Sequence, residues 1–143
     1  MPLSSWLFWA VLSATFAALT AIFAKVGIRE VDSDLATLIR TVMITGVLAL
    51  LVWRTGKWMN PLTLPTKTLG FLALSALATG ASWVCYFRAL QLGEAFRVAP
   101  VDKLSVVLVA VLAFAFLGER PEAREWIGIL LITAGVLVLA YRS

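Results

Sequence analysis

Apolar residues run along this chain in five long blocks separated by short polar ones. The blocks are Trp6–Ala24, Leu35–Trp53, Thr68–Phe87, Val98–Gly118 and Trp126–Tyr141. Arg40 interrupts the second, Asp102 and Lys103 stand in the fourth, and the first, third and fifth carry no charge. A helix needs about 20 residues to cross a bilayer core. The blocks therefore predict membrane-crossing helices over about 6–26, 35–53, 68–90, 98–118 and 126–141. The intervening stretches are too short for a second domain. The predicted fold class is an all-α, polytopic transmembrane bundle of five helices in a single domain, 1–143. A secretory leader would begin with a basic segment, and Met1–Ser5 has neither Lys nor Arg.

Within the blocks, small and polar residues fall at helical spacing. Ala10, Ala14, Ala17, Ala21 and Ala24 form a stripe on the first helix, and Gly128 and Gly135 share a face of the fifth. Such stripes let helices approach closely in lipid. Ser75, Thr79, Ser82 and Tyr86 line one face of the third helix with Trp83 beside them, and Thr37, Thr41 and Thr45 repeat the pattern on the second. Polar residues inside a span turn towards the bundle interior or a cavity. For the threonines, interhelical hydrogen bonding and a cavity wall are both open. Trp83 lies well inside its span, away from the interfaces where aromatics concentrate, so Trp83 and Tyr86 are expected in a cavity wall.

The ionisable residues add a polarity to the bundle. Counting spans puts Lys25, Arg40, Arg88, Asp102 and Lys103 near one membrane face. Lys25 and Lys103 suit snorkelling to the headgroups. Arg40 lies deeper and Asp102 has a short side chain, so Arg40, Arg88 and Asp102 are expected to be ion-paired or functional. Asp102 follows Pro100 in what reads as a first helical turn, where a carboxylate meets the positive end of the dipole. Trp6, Trp9, Trp53, Trp58 and Trp126 gather at the opposite face as an aromatic belt.

Composition agrees with lipid as the solvent. The chain is 62% hydrophobic and 14% charged, against about 45–50% and 25% for soluble domains. The net charge of +4 is spread between apolar runs and forms no patch for nucleic acid. With no histidine and a single cysteine, Cys85, there is no imidazole base, no disulfide framework and no thiolate metal cage. No nucleophile–base–orienter set and no glycine-rich phosphate loop is present, so no enzyme, cofactor or metal is expected.

The run Tyr86-Phe87-Arg88-Ala89-Leu90-Gln91-Leu92-Gly93, followed by Val98-Ala99-Pro100-Val101-Asp102-Lys103-Leu104-Ser105-Val106-Val107, resembles the EamA domain of the drug/metabolite transporter superfamily. Phe116-Leu117-Gly118-Glu119-Arg120-Pro121, then Trp126-Ile127-Gly128 and Ala134-Gly135, and the earlier Ala21-Ile22-Phe23-Ala24-Lys25-Val26-Gly27, resemble it too. Most members carry two such five-helix domains, inverted, in one chain; this sequence is similar to the half-size branch. It differs from four-helix small multidrug resistance proteins in having no acid in its first span.

The resemblance implies a bacterial or archaeal cytoplasmic-membrane transporter of small organic solutes or metabolites. It would work by alternating access as a dimer of five-helix halves. The alternative is a non-transporting accessory subunit paired with another half-transporter. Expected cavity residues are Thr79, Ser82, Trp83, Tyr86, Arg40, Arg88, Asp102, Thr41 and Ser105. Expected partners are a small-molecule substrate, the lipid bilayer and a second copy of the chain. Orientation follows Lys and Arg near span ends. With Arg40 and Lys103 set aside, Arg54, Lys57, Lys67, Arg120 and Arg124 on one face balance Lys25, Arg29, Arg88, Arg97 and Arg142 on the other. That balance predicts dual topology and an antiparallel homodimer.

Overall fold

The computed structural model describes residues 3–141. Its helices are α1 (Leu3–Gly27), α2 (Ser33–Arg54), α3 (Thr66–Leu92), α4 (Ala95–Asp102), α5 (Ser105–Leu112) and α6 (Ala123–Ala140). A short 3-10 turn covers Pro61–Thr63, and a π-helical segment, Ala113–Leu117, continues α5. Five stretches are long and apolar enough to cross a membrane: Trp6–Gly27, Ser33–Arg54, Thr66–Leu92, Ala95–Leu117 and Ala123–Ala140. Among the described residues, the only buried apolar side chains are Ala21, Ile28, Phe87, Leu90, Ala113 and Val136. Helices this apolar, with so little of their surface buried in the chain, require lipid or a further protein surface against them.

The chain divides into two compact units, Phe23–Leu92 and Met1–Ile22 with Gly93–Ser143. In the first of these, the last turn of α1, the α1–α2 loop, α2 and α3 pack together. Asp32 caps α2: its carboxylate accepts the N–H groups of Asp34 (2.9 Å) and Leu35 (3.2 Å). The other end of the unit's hydrogen-bond economy is the C-terminus of α3, whose last carbonyls have no partner within the helix. Lys25 donates its ammonium to the Leu90 carbonyl. Gln91 reaches the loop, its Nε2 donating to the carbonyls of Val31 (2.8 Å) and Ile28 (3.3 Å). Ile28, Phe87 and Leu90 are buried around this junction. Lys25 therefore turns inward to a helix end rather than snorkelling outward.

In the second unit, α4 and α5 pack on α6. The fourth span is broken, where the sequence reading expected one helix from Val98. The helix starts earlier, after Glu94, so the expected turn Gln91–Arg97 shrinks to Gly93 and Glu94. Pro100 lies inside α4 and has no N–H to give. Beyond it the bonding tightens to i→i−3. Lys103 donates to Pro100 (2.9 Å), Leu104 to Val101 (3.0 Å), Val106 to Lys103 (3.0 Å) and Val107 to Leu104 (3.0 Å). Asp102 consequently ends α4 instead of starting a helix. At that end the dipole opposes a carboxylate, and the Lys103 ammonium, 3.3 Å away, offsets it. The span closes at Gly118, whose φ of +69° is the left-handed conformation that glycine adopts without strain.

The Asp32 cap yields a stability prediction. Asp32→Ala is expected to cost about 1 kcal/mol and Asp32→Asn much less, because Asn caps as well as Asp. Detergent-denaturation midpoints of the purified protein measure this; equal midpoints for wild type and Asp32→Ala would show that the cap carries no stability.

Candidate functional site

Between α2 and α3, within the Phe23–Leu92 unit, lies a groove of about 610 Å³. Its polar lining comes from Asp34, Thr37 and Thr41 on α2 and from Ser75, Thr79 and Trp83 on α3. Leu38, Leu72, Ala76, Gly80 and Val84 supply the apolar remainder. The polar positions repeat every three or four residues, which is why two helices can each present a polar stripe to one space.

The threonines meet their hydrogen-bonding needs locally. Thr37 Oγ1 donates to the Ser33 carbonyl (2.7 Å), Thr41 to Thr37 (2.7 Å), Thr45 to Thr41 (2.9 Å) and Thr79 to Ser75 (2.9 Å). This back-bonding is what makes a threonine tolerable in an apolar helix. It also spends the hydroxyl hydrogen, so Thr37, Thr41 and Thr79 face the groove as acceptors.

Two charged arrangements flank the groove. The Arg40 guanidinium lies 4.7 Å from the centroid of the Trp83 ring and 5.2 Å from that of Phe87. Such stacking contributes about 1 kcal/mol where the cation is partly desolvated. Within this unit, and among the described residues, Arg40 forms no ion pair. Nor does it line the groove itself; it stacks on Trp83, which does. The second arrangement is bidentate: Arg88 Nη2 meets Asp34 Oδ2 at 2.6 Å, and Nε donates to Oδ1 at 3.1 Å. Both side chains remain about half exposed, 59% and 50%. An ion pair so exposed contributes little to stability.

The sequence-expected residues thus separate. Thr41, Thr79 and Trp83 line the groove, Arg40 stacks on its tryptophan, and Arg88 pairs with its carboxylate. Tyr86 is half-buried with its ring edge-on to Phe87, and Ser82 is exposed; neither lines the groove. Asp102, paired with Lys103, and Ser105, exposed at the start of α5, belong to the other unit. Asp34, Phe87 and Gln91 were missed. Asp34 had a usable signal: with Thr37, Leu38 and Thr41 it completes one helical face, but its neighbours assign it to the preceding loop. Nothing in the local pattern separates Phe87 from the other apolar residues of α3.

The model of the EamA-like transporter family matches residues 4–141. A protein of Sinorhizobium sp. described as an uncharacterized transporter in the cobO 3′ region is 60% identical over 136 residues, covering 95% of this chain and 96% of its own. Probable 4-amino-4-deoxy-L-arabinose-phosphoundecaprenol flippase subunits are more distant. The one from Pectobacterium atrosepticum is 36% identical over 75 residues, half of this chain and 64% of its own. That from Yersinia pestis is 30% identical over 74 residues, 52% and 65%. No solved structure matches the chain.

The geometry separates residues that hold the unit from residues that face the groove. Phe87→Ala is expected to cost about 3–5 kcal/mol through lost packing around a fully buried ring. Arg88→Gln is expected to leave the denaturation midpoint close to wild type. A midpoint lowered as much by Arg88→Gln as by Phe87→Ala would show that the exposed ion pair is structural.

Proposed function

Because the chain belongs to the EamA-like transporter family, we propose that it carries small organic solutes by alternating access, as a dimer of five-helix units around a shared path. It is a multi-pass integral membrane protein of a transporter family. The finer reading rests on one observation: a groove lined by Asp34, Thr37, Thr41, Thr79 and Trp83 inside otherwise apolar spans. A polar face in lipid is costly unless water or a solute meets it. In this reading Thr41, Thr79 and Trp83 contact the solute, and Arg40 orients Trp83. Arg88 sets the charge preference. Ser82 and Tyr86 extend the contact surface of this unit, and Asp102 and Ser105 are solute-contacting positions at the break of the fourth span in the other. The membrane is the bacterial cytoplasmic one, in keeping with the sources of the relatives.

The partner follows from charge balance at the span ends. Equal numbers of topogenic cations on the two faces favour insertion in both orientations and an antiparallel pair. Arg142, which enters that count, lies outside the described residues. A second reading, an accessory subunit paired with another half-transporter, is favoured by the designation of the more distant relatives as flippase subunits.

Two measurements test these readings. In a Cys85→Ser background, Thr79→Cys and Thr41→Cys are expected to react with a membrane-impermeant maleimide, and Leu74→Cys, on the opposite face of α3, is not. Unreactive groove positions would remove the water-filled path. Single cysteines placed at the two ends of the chain in intact cells are each expected to label from outside in part of the population. One orientation only, with a second membrane protein co-purifying, would establish the accessory-subunit reading instead.

A further inference from the structure

The groove lining carries one charge, the Asp34 carboxylate, and that charge is already matched by Arg88 beside it. Asp34 lines the groove and Arg88 grips it through two parallel contacts of 2.6 and 3.1 Å. The pair is half exposed and is not sealed in packing, so either partner can exchange it for a ligand. The hydrogen-bonding character of the walls is also divided. Thr37, Thr41 and Thr79 have spent their hydroxyl hydrogens on their own helices and offer acceptors. Donors come from the Arg88 guanidinium, which meets Asp34, and from the indole N–H that Trp83, a lining residue, carries.

A ligand bearing one charge must break both contacts of the pair and can replace only one partner's share of them. A ligand bearing both charges replaces both partners at once and leaves no group orphaned. Its ammonium also suits the threonine acceptors. Resting on the reading of this groove as a solute site, we propose that it selects small zwitterionic groups. The ammonium would go against Asp34 and the carboxylate or phosphate against Arg88, with Trp83 forming the apolar wall. The Asp34–Arg88 pair is then the closed, ligand-free state of the recognition site.

The test uses full-length protein in nanodiscs of phosphatidylglycerol, a lipid without an ammonium group. Three soluble probes are compared: phosphoethanolamine, with both charges, ethanolamine, with the cation alone, and ethyl phosphate, with the anion alone. Phosphoethanolamine is expected to bind more tightly than either analogue by roughly tenfold or more, the scale of one charged contact. Asp34→Asn is expected to remove that preference and Asp34→Glu to keep it, both variants eluting as wild type does. Adding phosphatidylethanolamine to the nanodisc separates the two sources of such a group. Competition assigns the site to lipid headgroups, and its absence assigns it to a soluble solute.

Equal binding of ethyl phosphate or ethanolamine, or no binding of any probe, overturns the zwitterion inference. The groove itself is tested separately with Gly80→Leu, since a side chain at Gly80 meets only open space and would occupy the groove. Single-charge binding that Gly80→Leu abolishes would overturn the zwitterion inference and leave the groove as a solute site. Binding untouched by Gly80→Leu would overturn both.

Discussion

The bilayer core contains no water, so every polar group placed there must find its partner within protein. Most of the described polar contacts of the Phe23–Leu92 unit answer that constraint. The threonines of α2 and α3 bond back to their own helices. The C-terminal end of α3 would otherwise expose its carbonyls. Instead Lys25 donates to Leu90, and Gln91 turns outward to satisfy two loop carbonyls in exchange. The cation at that helix end also complements the negative end of the dipole. Phe87 and Leu90 fill the space beneath, which holds the loop and the helix end as one packed junction. The groove depends on this junction, because the same turns of α3 carry Trp83 and Arg88.

The fourth span meets the same constraint differently. Pro100 removes a donor from α4, and the chain answers with tighter turns across Lys103 and Leu104 before α5 resumes. The result is a discontinuity with Asp102 at its edge. Breaks of this kind in membrane helices are tolerated where neighbouring groups or a cavity satisfy the freed backbone. The pairing of Lys103 with Asp102 is a local answer that keeps a carboxylate at a helix C-terminus from standing uncompensated.

Much of this was legible in the sequence, and the parts that were not share a cause. The five spans follow from apolar run length alone, and family membership follows from the ordered motifs. The groove threonines and Trp83 followed from helical spacing combined with the cost of facing lipid. Helix ends were less legible, because charged residues mark a boundary in a hydropathy reading whether or not the helix continues. Thus hydropathy starts α4 at Val98 although Ala95, Phe96 and Arg97 are helical, and assigns Asp34 to a loop although it sits in the first turn of α2. Assigning Asp34 to the loop hid its pairing with Arg88, fifty-four residues away. Periodicity reports which face a residue shares within its own helix. It carries no information on which residue of another helix it meets, so the stacking of Arg40 on Trp83 and Phe87 emerges only from the packing.

The two arginines of the groove region are held in different ways. Arg40 lies over two aromatic rings and is held by them without a carboxylate, so its charge is directed at the tryptophan wall. Arg88 is held by a carboxylate that is itself part of the groove lining, so its charge is neutralised until something replaces Asp34. Threonines that have already donated their hydrogens present acceptors and no hydroxyl donors to the groove. The buried side chains Phe87, Leu90 and Ile28 hold the unit, whereas Asp34 and Arg88 stay half exposed. The Asp34–Arg88 pair contributes little to stability because it is exposed. Either residue can therefore change without endangering the fold.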